Sequence, residues 1–483
     1  MEERRLIGTW WIPDAPDKRV GGVLCIPSSE KCTVELTGLL YRPGERVTQK
    51  GSVTVTEISE RDEGPAIIHG AADGRFITLI DPSSSNATEK FGGDCATAKQ
   101  TLKPRVVIIG LHLETPEDPV FDGIDVEIDN LTAWAGVTGL KTLLDDQYIV
   151  SGYKLEMPDS ITAEVDGTTI SLAWTWKRSA HLQRTLDRNQ VYAKESAYAR
   201  ITGSTPSMWN AFHPTMKSLQ DLLTLATRHP SAIRSKQLFS KLPDRGTKRF
   251  ELLHGGNTEI EHERKVVPQD FLFSLQDVSF QDLLDRWVPL YRSIGLGIHV
   301  LFGLDYSRSG YYENKLFNAA SAAESLHRAL FPEATGLAED QYRQLIQQVE
   351  AAISDKTQRH WIKGRLRNDR GYKDRLLDLA DIPSAQAVSY LLTDVDVWAK
   401  WVRDARNALA HLDSAKLEKI PEEARYRLGP LTSALMHLVL LEKLGVSPEH
   451  QLHAAERSYG FAARAFRTAI EEAATKRATH DQS

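Results

Sequence analysis

Cysteine is scarce: the chain has three in 483 residues, Cys25, Cys32 and Cys95. Three cannot build a disulfide framework, and no C-x-x-C pair or Cys/His cluster with zinc-finger spacing occurs. Long apolar runs are also missing, and every one falls far short of the ~18 residues that argue for a membrane span. Met1 to Leu6 is charged and lacks an apolar core, so no signal peptide is expected. Positive charge is not in excess either, with 59 Lys plus Arg against 65 Asp plus Glu and a net charge of -6. A uniformly basic nucleic-acid coat is therefore excluded, although a local basic patch is not. There is no P-loop, nucleophile elbow or dinucleotide fingerprint. Gly295 and Gly297 form a Gly-x-Gly inside helical, apolar text without the following glycine. No internal repeat or low-complexity tract is visible. Together these absences point to a soluble protein of a reducing cytoplasm with no membrane partner and no metal or other cofactor.

What is present is apolar matter: 41% of residues, including 10 Trp, 14 Tyr and 14 Phe. That suffices for a sizeable core and excludes global disorder. The length suggests about three folding units, or two large ones. The first ~180 residues read as strands. Ser52 to Ile58 alternates with period two. Asp73-Gly74 and Asp166-Gly167 each separate two β-favouring runs. Such pairs predict hairpins, because a type I′ turn needs positive φ at both central residues. Arg105 to Leu113 predicts a central strand, and Asp125 to Ile128 another. Gly8 to Pro13 predicts an edge strand stopped by proline. Short strands with regular turn signals argue for a sandwich or barrel.

A helix is expected over Met208 to Thr227, then strand-like alternation over 236–275. From Phe280 the period becomes helical. The expected helices are 280–303, 312–330, 339–354, 371–380, 385–411, 423–445 and 448–477. Gly445 reads as a C-cap, and Pro448 opens the last helix. The fold class is thus α+β multidomain: a β-rich sandwich- or barrel-like region, 1–275, followed by an all-α bundle, 280–483. Residues 310–483 hold 24 basic and 24 acidic residues, so the acidic excess lies in the first part. Lys356 to Arg375 holds eight basic residues against Asp369 and Asp374, with Trp361 and Tyr372 interleaved. Basic side chains attract phosphates and aromatic faces stack on unpaired bases, which makes this stretch either an RNA surface or a solvated loop.

Trp398 to Leu412 reads WAKWVRDARNALAHL. At 100° per residue, Trp398, Ala405, Leu409 and Leu412 fall on one side. Arg403, Asn407 and His411 form an i, i+4, i+8 stripe on another. An Arg, an Asn and a His on a polar face suit a phosphodiester. Histidine moves protons near neutral pH, and arginine neutralises charge building on phosphate oxygens. Arg406 and His411 are separated by four residues. Spacings of this kind also arise by chance, about three times in a chain of this composition. Arg105/His112, Arg249/His254 and Arg292/His299 are the other examples. Arg406/His411 differs in its context: Asn407 follows the Arg, small Ala residues permit close helix approach, and the helix is long.

The Arg406-x4-His411 spacing resembles the R-x(4–6)-H signature of HEPN-domain ribonucleases. Lys315 to Arg328, with Glu324 in an A-x-E-x-x-H-R setting, is similar to the first core helix of ApeA-like HEPN domains. Arg365 to Leu376 and Leu440 to Gly445 follow in that family's order. The Gly8-Thr9-Trp10-Trp11-Ile12-Pro13 start and the β-rich region resemble the ApeA N-terminal domain fused to this HEPN. The resemblance implies a prokaryotic anti-phage defence protein that lies dormant until infection and then halts growth by cutting host RNA, tRNA among it. A phage-encoded protein would be the trigger. It further implies a metal-independent endoribonuclease working as a homodimer or higher homo-oligomer, with the Arg/His helices face to face and the N-terminal domain as sensor.

Helix geometry bears on the dimer. Arg406 and His411 lie about 140° apart on an ideal helix. Either the helix distorts near His411, or a second chain supplies the partner. The expected catalytic set is Arg406, His411, Asn407 and Glu324. His411 acts as base on the ribose 2′-hydroxyl or as acid on the leaving 5′-oxygen. Arg406 stabilises the transition state, Asn407 orients His411 or the phosphate, and Glu324 fixes the His tautomer or positions Arg406. Arg403, Lys363, Arg365, Arg367 and Arg370 are the expected RNA-binding residues. Structural roles compete with these: a C-terminal helix histidine, an Arg406–Glu324 ion pair and an Asn407 bundle hydrogen bond. The alternative function is a non-catalytic HEPN protein that binds nucleotide or RNA, or a scaffold, with a ligand-sensing β domain. A third is a carbohydrate-binding β-sandwich fused to a dimerising bundle. Trp10 and Trp11 read as core.

Overall fold

A computed structural model describes residues 3–27, 31–42, 45–50, 53–58, 64–90, 97–178, 183–184, 189–190, 192–243, 246–255, 267–307 and 310–480. Ser52 and residues 256–266, both within expected strand-like text, lie outside the described residues. The chain forms two compact units. One is Met1–Gln220 with Ser231–Lys265, and the other is Asp221–Pro230 with Val266–Ser483.

The first unit is built from antiparallel strands. In chain order they are β1 (Arg4–Trp11), β2 (Val20–Ile26), β3 (Thr33–Leu36), β4 (Glu45–Lys50), β5 (Val53–Ile58), β6 (Ile67–Ala72), β7 (Arg75–Lys90), β8 (Thr97–Ile109) and β9 (Phe121–Ile128). After a short α1 (Leu131–Ala135) come β10 (Leu140–Leu144), β11 (Val150–Leu155), β12 (Ile161–Val165), β13 (Thr168–Arg178), β14 (Gln183–Arg184), β15 (Asn189–Gln190) and β16 (Ala193–Ser207). Helix α2 (His213–Thr227) precedes β17 (Ile233–Leu242) and β18 (Gly246–His254). The sheet order is β12-β13-β16-β9-β17-β18-β8-β3-β2-β1-β6-β7, and β7 also pairs with β8. That last pairing closes β8, β3, β2, β1, β6 and β7 into a six-stranded barrel, from which β18, β17, β9, β16, β13 and β12 run on as an open sheet, while β4-β5, β10-β11 and β14-β15 are separate two-stranded sheets.

The barrel settles the choice between sandwich and barrel, and its interior follows from period-two alternation. Trp10, Leu24, Val34, Ile68, Ile77, Leu79 and Leu102 are fully buried and form its core. Trp10 lies opposite Gly70 in the β1–β6 register. A Cβ on Gly70 would sit 2.2 Å from the Trp10 ring, so the indole occupies the space a side chain would need. Both predicted hairpin turns form, with φ of 47° and 71° at Asp73-Gly74 and 51° and 74° at Asp166-Gly167. One expectation is corrected. Gly8 to Trp11 is no edge strand, because β1 is bonded to β2 on one side and β6 on the other. Barrel closure removes the edge, and Pro13 follows the strand's end.

The second unit is helical. It contains α3 (Phe280–Ile294), α4 (Leu296–Tyr306), α5 (Tyr312–Leu330), α6 (Glu339–Ala352), α7 (Lys356–Lys363), α8 (Tyr372–Ala380), α9 (Ala385–Leu392), α10 (Val395–Ala410), α11 (Ser414–Leu417), α12 (Glu422–Leu444) and α13 (Pro448–His480). Helix α12 is buried nearly all round, with Leu428, Leu431, Leu435, Leu438 and Leu441 at its centre. Two long expected helices are broken. The run 280–303 bends by 102° at Gly295, whose φ is 59°. The run 385–411 breaks at Thr393, with φ 57°, after which the Asp394 carboxylate accepts from Val397 N at 2.9 Å and caps α10. Helices α7 and α11 lack a long apolar stripe, and the period does not predict them. Gly445 ends α12 in the left-handed region, and Pro448 opens α13. Among the described residues no single helix is long and apolar enough to cross a membrane.

Candidate active site

Helix α10 buries Trp398, Ala399, Trp401, Val402, Ala405 and Ala408. The expected apolar side holds for Trp398 and Ala405 and fails at Leu412, which is 91% exposed. The reason is the helix end. Ala410 is the last helical residue, His411 is the C-cap, and Leu412 turns left-handed at φ 51°. Leu412 N donates to Leu409 O at 3.2 Å and Asp413 N to Ala408 O at 2.9 Å. These two bonds make a Schellman motif, normally closed by glycine at this position. Periodicity therefore stops one residue before Leu412.

The polar side carries the candidate residues. Arg406 Nη2 lies 3.3 Å from Glu324 Oε2 on α5. Its Nη1 donates to Asn407 Oδ1 at 3.4 Å. Its guanidinium sits over the Tyr372 ring, 5.3 Å from the centroid. The Tyr372 hydroxyl in turn donates to Ala320 O at 2.8 Å, and burial raises its pKa. Arg406 is thus held by a carboxylate and an aromatic face, while its Nε is buried with no hydrogen-bond partner among the described residues. Asn407 and His411 are exposed. Among the described residues His411 shares no hydrogen bond or ion pair with Arg406 or Glu324, and its backbone N donates to Asn407 O at 3.2 Å. Of the two tasks expected of Glu324, the geometry serves the one on Arg406. Glu324 also receives Arg328 Nη2 at 3.0 Å.

The expected RNA-binding residues divide by their surroundings. Arg403 is half-buried and paired with Asp404 at 2.7 Å. Lys363 pairs with Glu350 at 2.7 Å on an exposed surface. The Arg365 guanidinium stacks on Trp361 at 3.9 Å, and Trp361 is exposed. Arg367 is exposed. Arg370 differs from these. Its fork is filled by Asp378, Nε to Oδ2 at 3.0 Å and Nη2 to Oδ1 at 2.8 Å.

Sequence reasoning missed the network around that pair. His327, fully buried one turn beyond Glu324, has Nε2 2.9 Å from Asp378 Oδ2. Arg375 Nη1 lies 3.2 Å from His327 Nδ1, and its Nε donates to Arg370 O at 3.0 Å. The neutral Nε2–H tautomer satisfies this pattern, with Nδ1 accepting from Arg375. Burial lowers the His327 pKa, in agreement. The hydrogen bond from Arg370 holds the Asp378 carboxyl below its usual range. The network ties α5 to α8, the two helices that carry Glu324 and Tyr372. The only signal in the sequence was the His327-Arg328 pair after Glu324. Among the described residues no group of three or more His, Cys, Asp or Glu is placed to hold a metal ion.

Residues 5–287 match the family model described as ApeA N-terminal domain 1, and residues 317–450 match that of the Apea-like HEPN. No curated protein and no solved structure matches the chain. HEPN domains are generally ribonucleases, and this domain fits an anti-phage defence protein with a HEPN nuclease. With a barrel-based β region running into a HEPN-type helical bundle, the chain belongs to the ApeA family.

Proposed function

We propose that this protein is a metal-independent endoribonuclease of abortive infection, cutting host RNA when a phage-encoded protein triggers it. Its place of action is the cytoplasm, where that RNA is. The observation that carries the reading is Arg406: held 3.3 Å from Glu324 on a helix that ends in an exposed imidazole, His411. His411 removes the proton of the ribose 2′-hydroxyl. The 2′-oxygen attacks phosphorus, the P–O5′ bond breaks, and the 5′-oxygen takes a proton from the second His411 of a homodimer. Arg406 neutralises the charge gained by the equatorial oxygens. Asn407 orients the imidazole or the phosphate. The products are a 2′,3′-cyclic phosphate and a 5′-hydroxyl, so DNA is not a substrate. Arg403, Lys363, Arg365 and Arg367 are proposed to track the RNA backbone, with Trp361 stacking on a base.

A homodimer is supported by two features. Among the described residues His411 pairs with no cation, and Leu412 beside it exposes an apolar side chain that a second copy would cover. The same isolation of His411 favours a second reading, a HEPN protein that binds RNA or nucleotide without cutting it. Incubating purified protein with tRNA and mapping the ends separates the two. Cyclic-phosphate ends from the wild type, absent with Arg406→Ala and His411→Ala, support the nuclease. Intact RNA that is nevertheless bound supports the second reading.

A further inference from the structure

In the β unit, β10 and β11 form a hairpin of their own. Among the described residues they pair only with each other and join no larger sheet. Every residue of the two strands except Gly152 is exposed. The base of the hairpin is tied down. Thr138 Oγ1 and Gly139 N donate to the Glu195 carboxylate at 2.6 and 2.8 Å, and Trp176 Nε1 donates to Met157 Sδ at 3.1 Å. The tip is built as firmly, with Gln147 N and Ile149 N each donating to Asp145 Oδ1 at 2.9 Å. That turn holds Tyr148 at φ 61° with the side chain 85% exposed. A bulky residue in the left-handed region is strained, and here no burial within the chain offsets the strain.

Register sorts the side chains of the hairpin by face. Leu140 lies opposite Leu155, Thr142 opposite Tyr153 and, past a bulge, Leu144 opposite Val150. Directly opposed residues share a face, and faces alternate along a strand. Leu140, Leu144, Val150, Tyr153 and Leu155 therefore make one apolar face that holds no charged residue. The opposite face carries Lys141, Leu143 and Lys154, and both lysines pair with Glu156. The five apolar residues are between 37% and 71% exposed. That leaves roughly 500 Å² of open surface per chain, the size of patch that marks an interaction site. A lone two-stranded hairpin is marginal in water, so this one gains most from whatever covers that face.

We propose that this face is an interface between copies of the chain, two hairpins packing apolar face to apolar face. Two such faces cover about 1,000 Å², the lower bound of a specific contact, and Tyr148 and Ile149 at the tips carry the area above it. Self-packing sets no like charges opposite one another, and Lys141, Lys154 and Glu156 stay in water on the outer side. An uncovered apolar strand pair invites aggregation, so its occupant has to be present at all times. A second copy meets that condition at equal concentration. An anionic lipid surface fits less well, because residues 138–159 hold Lys141 and Lys154 against Asp145, Asp146, Glu156 and Asp159. The contact lies in the β unit. It goes beyond the proposed pairing at the end of α10 and does not depend on RNA cleavage.

Sedimentation equilibrium and amide hydrogen exchange on the full-length protein, each over a concentration series, test this. Exchange at residues 140–155 is expected to slow as the wild type is concentrated. Leu144→Glu puts a charge on the apolar face; it should weaken self-association about a hundredfold or more and abolish that protection. Leu143→Glu puts the same charge on the opposite face, at a neighbouring position 45% exposed against 52%, and should change neither. The contrast between the two variants should persist in a Leu412→Gly background, which sets the α10 contact apart. The proposal is overturned if the hairpin amides exchange alike at every concentration up to about 100 μM. It is also overturned if Leu143→Glu and Leu144→Glu behave the same, or if the hairpin gains protection only on adding phosphatidylglycerol/phosphatidylcholine vesicles.

Discussion

Arg406 and Glu324 lie 82 positions apart in the chain and meet at 3.3 Å. The carboxylate on α5 holds the guanidinium of α10, the helix that ends at His411. That arrangement sets different expectations for each residue around it.

Replacing His411 by Ala removes an exposed side chain and should leave the unfolding midpoint unchanged while abolishing RNA cleavage and toxicity on expression. Undiminished cleavage by that variant rules out the proposed chemistry. Glu324→Gln keeps the shape but releases the charge on Arg406. A fall in kcat of roughly tenfold or more, with KM little changed, is expected of a positioning residue.

Arg370 and Arg367 belong to one basic stretch and should behave oppositely. Arg370→Ala leaves Asp378 facing His327 and Arg375 with one cation fewer, so it should lower stability by about 1–3 kcal/mol. Arg367→Ala and Arg365→Ala should leave stability alone and weaken RNA binding. In a salt titration each should reduce the slope of log K against log salt by about 0.7, one single-strand phosphate contact. An unchanged slope would remove that residue from the RNA surface.

Leu412 holds a left-handed C′ position with 91% of its side chain exposed. Leu412→Gly should stabilise the free chain by about 0.5–1 kcal/mol in urea unfolding, because glycine adopts that conformation without a Cβ clash. If Leu412 is covered by a second copy, the same variant dissociates more readily in analytical ultracentrifugation. Stabilisation with weakened self-association is the expected pair of results.

In the β unit, burial pushes His213 down to about 4, and His254 and Lys236 act in the same direction. Its ring stacks on His254 at 4.8 Å and meets Trp209 edge-on at 5.1 Å. Between about 4 and the ordinary 6.5 the unfolded chain carries a proton on this residue that the folded chain excludes. By linkage, stability is fully present above 6.5 and declines as the pH falls through that window. Urea midpoints measured from pH 7 to pH 4.5 should fall, and His213→Gln should flatten the decline.

Local chemistry made much of this legible. The Asp73-Gly74 and Asp166-Gly167 turns, the Gly445 cap and the Pro448 start depend on one or two residues each, so they can be read from a few letters. The Trp398–Ala408 stripe depends on a period repeated over three turns. The polar face of α10 that carries the candidate residues is legible for the same reason, and their spacing resembles a known signature.

Other features depended on residues distant in the chain. Closure of the barrel rests on β7 pairing with β8 as well as with β6, and no single strand carries that information, so β1 reads as an edge from its own letters. The break at Thr393 and the helix end at Ala410 came from backbone turns that sequence period alone extends through. His327, Asp378, Arg370 and Arg375 converge from α5, α8 and the segment before α8, and Arg228 joins Asp305 and His437 from three separate places in the sequence. Short-range propensities fixed the elements of this protein and the identity of its polar helix face. Which carboxylate holds Arg406 and which cations remain exposed were decided only by packing, because those contacts join residues that the chain keeps far apart.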